Sequence, residues 1–150
     1  MTPSTKRFIL RQLKTHRNMS LATVRPDGYP QATTVAYAND GLTLYFACEP
    51  DCQKVRNLRH SPKVSLTINK DWAGTGWRKI TGLSMGGTAR ILERSADTEH
   101  AHAVLSHKFK QMKGLSAKDL AATAFVRVQP KVVSMLDYRR GFGWTKQVRV

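Results

Sequence analysis

The segment "MSLATVRPDGYPQATTVAYANDGLTLYFACE" (residues 19–49) decides the fold class. Apolar and polar residues alternate from Met19 to Arg25, the period of a half-buried strand. "PDG" at 26–28 is hairpin-turn chemistry, so the next run, Gln31 to Ala38, should return antiparallel to the first. "NDG" at 39–41 supplies a second turn, and Leu42 to Cys48 a third strand. Three strands joined by such short turns exclude a parallel sheet, which needs long crossovers.

Downstream, "DCQKVRNLRHSPKVSL" (51–66) switches period. Cys52, Val55 and Leu58 recur every three residues and predict a short helix over 51–60, with Asp51 as N-cap and Pro62 after its end. Alternation resumes in a strand over 63–69. "DWAGTG" reads as a loop, and Trp77 to Leu92 as a long strand with bends or bulges at Gly82, Gly86 and Gly87. Ser95 should cap a longer helix with Ala101, Val104, Leu105 and Phe109 inward. Two strands, "LAATAFVRVQP" and "KVVSMLDY", precede a basic, aromatic tail. Many antiparallel strands with few helices predict a barrel of six or seven strands, which leaves few open edges.

Upstream, "MTPSTKRFILRQLKTHR" carries no acidic residue. Its composition is that of a transit peptide. Its spacing is that of an amphipathic surface helix, capped by Thr2 or Ser4 with Phe8, Ile9 and Leu13 inward, and this is the reading adopted.

The 150 residues predict one domain, 1–150, with a proper core. No apolar run approaches the roughly 20 residues of a membrane span. A soluble, cytoplasmic protein is expected. Twenty-five Lys and Arg against ten Asp and Glu give +15, a field that attracts polyanions and phosphorylated ligands without naming one. Cys48 and Cys52 stand four apart, a poor zinc spacing; reduced thiols are expected, with a transient disulfide as the alternative.

Three patterns suggest other chemistries. "GLSMG" (82–86) matches the nucleophile elbow, but "TARIL" continues as strand where a hydrolase needs a helix. His100, His102 and His107 do not share one helix face with a carboxylate or thiol, so no metal site is expected. "RGFGW" (140–144) resembles the RNA-recognition strand motif, yet only six residues follow it, too few to complete that fold. A non-catalytic basic module binding nucleic acid or another polyanion therefore remains as an alternative function.

Lys54 is the odd residue. It falls in the first turn of its helix, where the dipole disfavours a cation. A bound phosphate would reconcile the two, and pairing with Asp51 or Glu49 would do so equally. No glycine-rich phosphate loop is present to compete for that role.

Taken together, residues 20–68, "GLSMGGTARIL" and "VVSMLDYRRGFGW" resemble the pyridoxamine 5'-phosphate oxidase-like family of flavin-binding split β-barrels. The resemblance covers nearly the whole chain beyond the first helix. It implies a mainly β (α+β) fold, an antiparallel split β-barrel with flanking short helices. It also implies a homodimer holding FMN between subunits, with a deazaflavin as the alternative cofactor. Lys54 would bind the phosphate, supported by Gln53 and by Phe46 and Ala47. Ala32, Thr33, Thr34 and Val35 would lie along the flavin ring system. Gly82 falls near a flavin-contacting position, and Arg140 and Trp144 would approach the flavin of the other subunit. The implied chemistry is flavin-dependent oxidoreduction of a small-molecule substrate, with no catalytic side chain assigned; a flavin or deazaflavin carrier is the other possibility. Two departures argue against pyridoxamine phosphate as that substrate. The oxidase commonly has Arg-Lys where this chain has Gln53-Lys54, and its C-terminal segment with paired Arg and His has no counterpart. The family also includes haem-handling proteins.

Overall fold

The computed structural model describes residues 1–150. An N-terminal helix, α1 (Pro3–Thr15), is followed by β1 (Asn18–Val24), β2 (Pro30–Ala36), β3 (Ala38–Asp40) and β4 (Thr43–Cys48). Next come α2 (Gln53–His60), β5 (Lys63–Asn69) and β6 (Thr81–Ile91). The chain ends with α3 (Ser95–Lys108), α4 (Ala117–Ala121), β7 (Ala124–Asp137) and β8 (Thr145–Arg149). All pairings are antiparallel, in the order β2-β1-β5-β6-β7-β4-β3, with β8 also on β7. This is an α+β antiparallel split barrel, as the sequence predicts.

Strands β1 and β5 show the expected alternation; the buried face of β5 is Val64, Leu66 and Ile68. Those side chains join Leu21, Phe46, Met85, Val126 and Val133 in one core. Helix α1 packs on it. Thr2 caps that helix by accepting from the Thr5 amide, and Ile9 and Leu13 are fully buried. Each such side chain contributes about 1.5–3 kcal/mol relative to exposure. A smaller cluster lies beneath α3, where Ala101 and Leu105 meet Tyr45 and Phe125.

Four expectations need correction. Eight strands form, because the run Gln31–Ala38 breaks at Tyr37 and the tail contributes β8. Tyr37 is fully buried and donates from its hydroxyl to the Leu13 carbonyl, which turns the chain between β2 and β3. The long strand begins at Thr81, since Trp77–Lys79 form a 3-10 turn. The two last strands are one, β7, running through Pro130. Pro130 lies opposite Gly87, where the register shifts, so the missing N–H falls at a bulge where the ladder is already broken. A Cβ on Gly87 would stand 2.2 Å from the Gln129 carbonyl oxygen, so only glycine allows this close approach. Finally, Arg94 rather than Ser95 occupies the N-cap position of α3, without a side-chain cap bond.

Candidate functional site

The site begins at α2. Cys52, not Asp51, occupies its N-cap and makes no side-chain cap bond. No acidic residue lies in the first turn, and neither the Gln53 nor the Lys54 amide finds an acceptor in the chain. Lys54 is half-buried and forms no ion pair, so pairing with Asp51 or Glu49 does not explain it. A free ammonium and open helix-end amides thus share one place, an arrangement suited to an anion.

Helix α2 is held firmly where it is. Asn57 is fully buried and donates to Thr23 Oγ1 (2.9 Å) and Gln31 Oε1 (3.0 Å). Its own Oδ1 accepts from Gln53 Nε2 (2.8 Å). The helix is thereby fixed to the turn end of the β1–β2 hairpin. Gln53 Oε1 in turn accepts from the Arg56 guanidinium (3.0 Å), which also donates to the Asp51 carbonyl. The Gln53 side chain is therefore occupied in orienting its neighbours. Arg56 folds back beside the first turn and brings a second cation to it. Sequence reasoning missed Arg56 and Asn57 because their roles depend on rotamers and on contacts across some 30 residues.

Beside α2, the thiols of Cys48 and Cys52 interact; burial first, and then Cys52, pushes Cys48 up to about 12. Cys48 is thus a protonated thiol at neutral pH.

Strand β2 pairs only with β1, leaving its other edge open. Ala32 and Thr34 are exposed, Thr33 is half-buried and Val35 points into the core. Strand β4 also touches β2. There, Phe46 is fully buried in the main core and Ala47 packs on the smaller cluster, so both can offer only backbone to a ligand.

Gly82, Arg140 and Trp144 lie elsewhere. Gly82 lines a cleft of about 700 Å³ with Thr67, Asn69, Trp72, Ser84 and Ser134. A Cβ there would meet the Ile68 carbonyl oxygen at 3.1 Å and Asn69 Cβ at 3.2 Å. The Arg140 guanidinium lies 4.7 Å from the Trp144 ring centroid, beside a separate small cavity under α1. Strand β6 is three strand spacings from β2, roughly 14 Å. One chain therefore brings together Gln53, Lys54, β2 and the end of β4, and keeps Gly82, Arg140 and Trp144 apart from them.

Across the outer face, the register aligns Thr34, Ser20, Thr67, Ser84, Ser134 and Gln147 in one row over six strands. The adjacent row reads Ala32, Ala22, Ser65, Gly86, Val132 and Arg149. In a chain of +15, this face carries small, uncharged side chains almost throughout. Ser84 stands in the middle of it on a continuous strand, which removes the nucleophile-elbow geometry. His100 pairs with Asp40 at 3.2 Å while His102 Nε2 sits 2.7 Å from the Met112 carbonyl oxygen, so the helix histidines serve different neighbours. No helix is long and apolar enough to cross a membrane.

Comparison with known proteins agrees with this architecture. No curated protein sequence matches. A pyridoxamine 5'-phosphate oxidase-like protein of Listeria innocua is 23% identical, with a TM-score of 0.72 over 88% of this chain and 98% of its own. A haem-binding protein of Mycobacterium smegmatis is 19% identical, with a TM-score of 0.77 over 99% of this chain and 59% of its own. The haem storage protein of Vibrio cholerae is 18% identical, with a TM-score of 0.66 over 83% of this chain and 89% of its own. These likenesses establish the split barrel. The family model for pyridoxamine 5'-phosphate oxidase matches residues 5–137, from the first turn of α1 to the end of β7. On that match, this chain belongs to the pyridoxamine 5'-phosphate oxidase family.

Proposed function

We propose that the protein binds FMN between two copies of itself and acts as a flavin-dependent oxidoreductase on a small molecule. The observation that carries this reading is Lys54: an unpaired cation beside uncapped amides, with Arg56 adjacent and no acid in the turn. Lys54 and the first-turn amides would hold the phosphate. The open edge of β2 from Ala32 to Val35, together with the backbone of Phe46 and Ala47, would offer hydrogen bonds along the ring system.

The separation of the two residue groups supports a second copy. On one chain β6, which carries Gly82, stands roughly 14 Å from β2, and the family resemblance puts Arg140 and Trp144 at the flavin of the other subunit. A partner docked on the outer face would bring its own set across. Because these rows are almost uncharged in a chain of +15, two copies can approach there without opposing like charges.

When bound, the flavin supplies the redox chemistry. The side chains of this site bind and orient it, and none is required as an acid or base. A purified sample loaded with FMN and desalted should show bands at roughly 375 and 450 nm, as the chromophore is the cofactor's own. An intense band at about 400 nm instead would favour haem, the ligand that two structural neighbours are named for. Neither band after loading would overturn the reading.

A further inference from the structure

Beyond the flavin reading, the chain has an aromatic cluster beside Arg140 and Trp144 whose three rings the proposed site does not use. Trp77, Tyr138 and Phe142 form a three-ring cluster, with centroids 5.3 to 6.3 Å apart. Trp77 meets both other rings in edge-to-face fashion, at 66° and 83°. Phe142 is 80% exposed and Trp77 is 37% exposed. A hydrophobic staple between two loops would bury its rings; here Tyr138 is half-buried and Phe142 is presented to solvent.

Cations surround it. Arg78 lies 5.3 Å from the Trp77 centroid and Arg140 4.7 Å from that of Trp144. Lys70, Lys79 and Lys146 stand in the same two segments, 70–79 and 138–146. The one acid within these segments is Asp71; Asp137, just before the second, is only 4% exposed and taken by Arg139 at 2.7 and 2.8 Å, with Arg140 at 3.7 Å. The rim therefore keeps a surplus of positive charge around the exposed Phe142 ring.

We propose that this rim is a stacking platform for single-stranded nucleic acid. Phosphates would be drawn by Lys70, Arg78 and Lys79, and unstacked bases would lie on Phe142 and on the exposed part of Trp77. Every base has a π-face, so such binding is sequence-tolerant, and a duplex cannot use it because its bases are already stacked. The platform gives the charge of +15 a partner and assigns a role to the "RGFGW" segment without an RNA-recognition fold.

The test uses the full chain, with and without FMN, and a thymidine oligomer of about 20 nucleotides. All three tryptophans, Trp72, Trp77 and Trp144, lie at this end of the sheet, so intrinsic emission reports on the rim. Quenching by the single strand is expected, with clearly weaker binding of a duplex of equal length. Phe142→Ala should bind about tenfold more weakly, with an unchanged slope of log K against log salt, because stacking releases no counterions. Its melting temperature should match wild type, since the ring is mostly exposed. Arg78→Gln should lower the slope by about one. The proposal falls if no single strand binds at low salt, if the duplex binds equally well, or if Phe142→Ala binds as wild type. None of these outcomes depends on flavin.

Discussion

Replacing Lys54 by alanine should weaken FMN and spare riboflavin. The ammonium is half-buried, close to Cys48, and has no competing carboxylate to surrender, so its whole interaction is available to a phosphate. A hydrogen bond to a charged group contributes about 1.5–3 kcal/mol. Because the group is partly solvated, the lower part of that range applies, about 1.5–2 kcal/mol, or a 10- to 30-fold rise in Kd. Arg56 lies beside the same turn, so Arg56→Ala should cost FMN affinity as well. Arg59→Ala should not, because Arg59 sits in the last turn of α2, where a cation suits the dipole without a ligand. Removal of Lys54 should leave the apo protein as stable as before or slightly more so, since a badly placed cation is lost. Flavin-fluorescence titrations of the three variants with FMN and riboflavin, plus melting curves, make the comparison. Equal losses in all three variants would reduce the lysine to a share of the general field. Equal losses for FMN and riboflavin would remove phosphate recognition from the account.

Three further outcomes follow from the packing. Asn57→Ala strands Thr23, Gln31 and Gln53 and should cost about 2–3 kcal/mol in urea denaturation; a loss below about 0.5 kcal/mol would mean the network is not structural. Gly87→Ala should destabilise strongly, by about 3 kcal/mol or more, because its Cβ meets backbone at 2.2 and 2.9 Å; Gly86→Ala meets only a Val132 methyl at 3.2 Å and should cost clearly less. Equal melting temperatures for the two would refute the bulge argument. Lys108 donates to the Leu13 and His16 carbonyls from a half-buried position over the Tyr37 ring, and burial, helped by Arg17, lowers it from 10.5 to about 8. Between those values the unfolded chain holds the proton that the folded one has lost. This group's contribution to stability is therefore full above 10.5 and is lost as pH falls through 8. Stability should rise between pH 7.5 and 9.5 more steeply in wild type than in Lys108→Met, and identical slopes would contradict the assignment.

The fold was legible wherever local chemistry and tertiary environment agree. Alternation in Met19–Arg25 and 63–69, the "PDG" turn and the glycines of the long strand all point to the observed pairing. Reading failed where a distant partner decides the outcome. Pro130 looks like a strand break until Gly87 is seen opposite it, and Tyr37 looks like any strand residue until its hydroxyl meets α1. The candidate site divides the same way. Lys54 stood out because its charge conflicts with a local rule, and the structure leaves it unpaired. Gln53 looked like a phosphate ligand, yet its side chain is committed to Asn57 and Arg56. The return of Arg56 to the first turn has no signature in the sequence, since it depends on a rotamer and a carbonyl at Asp51.

The claim on which the account rests is that the cofactor lies between two chains, with Lys54 from one and Gly82, Arg140 and Trp144 from the other. Light scattering of the FMN-loaded protein at micromolar concentration, with flavin counted by absorbance, tests it most directly. The account predicts a particle of twice the chain mass carrying two flavins, and predicts that Ser84→Arg, on the outer face far from Lys54, yields monomers that lose FMN. A monomer that retains FMN tightly would contradict it.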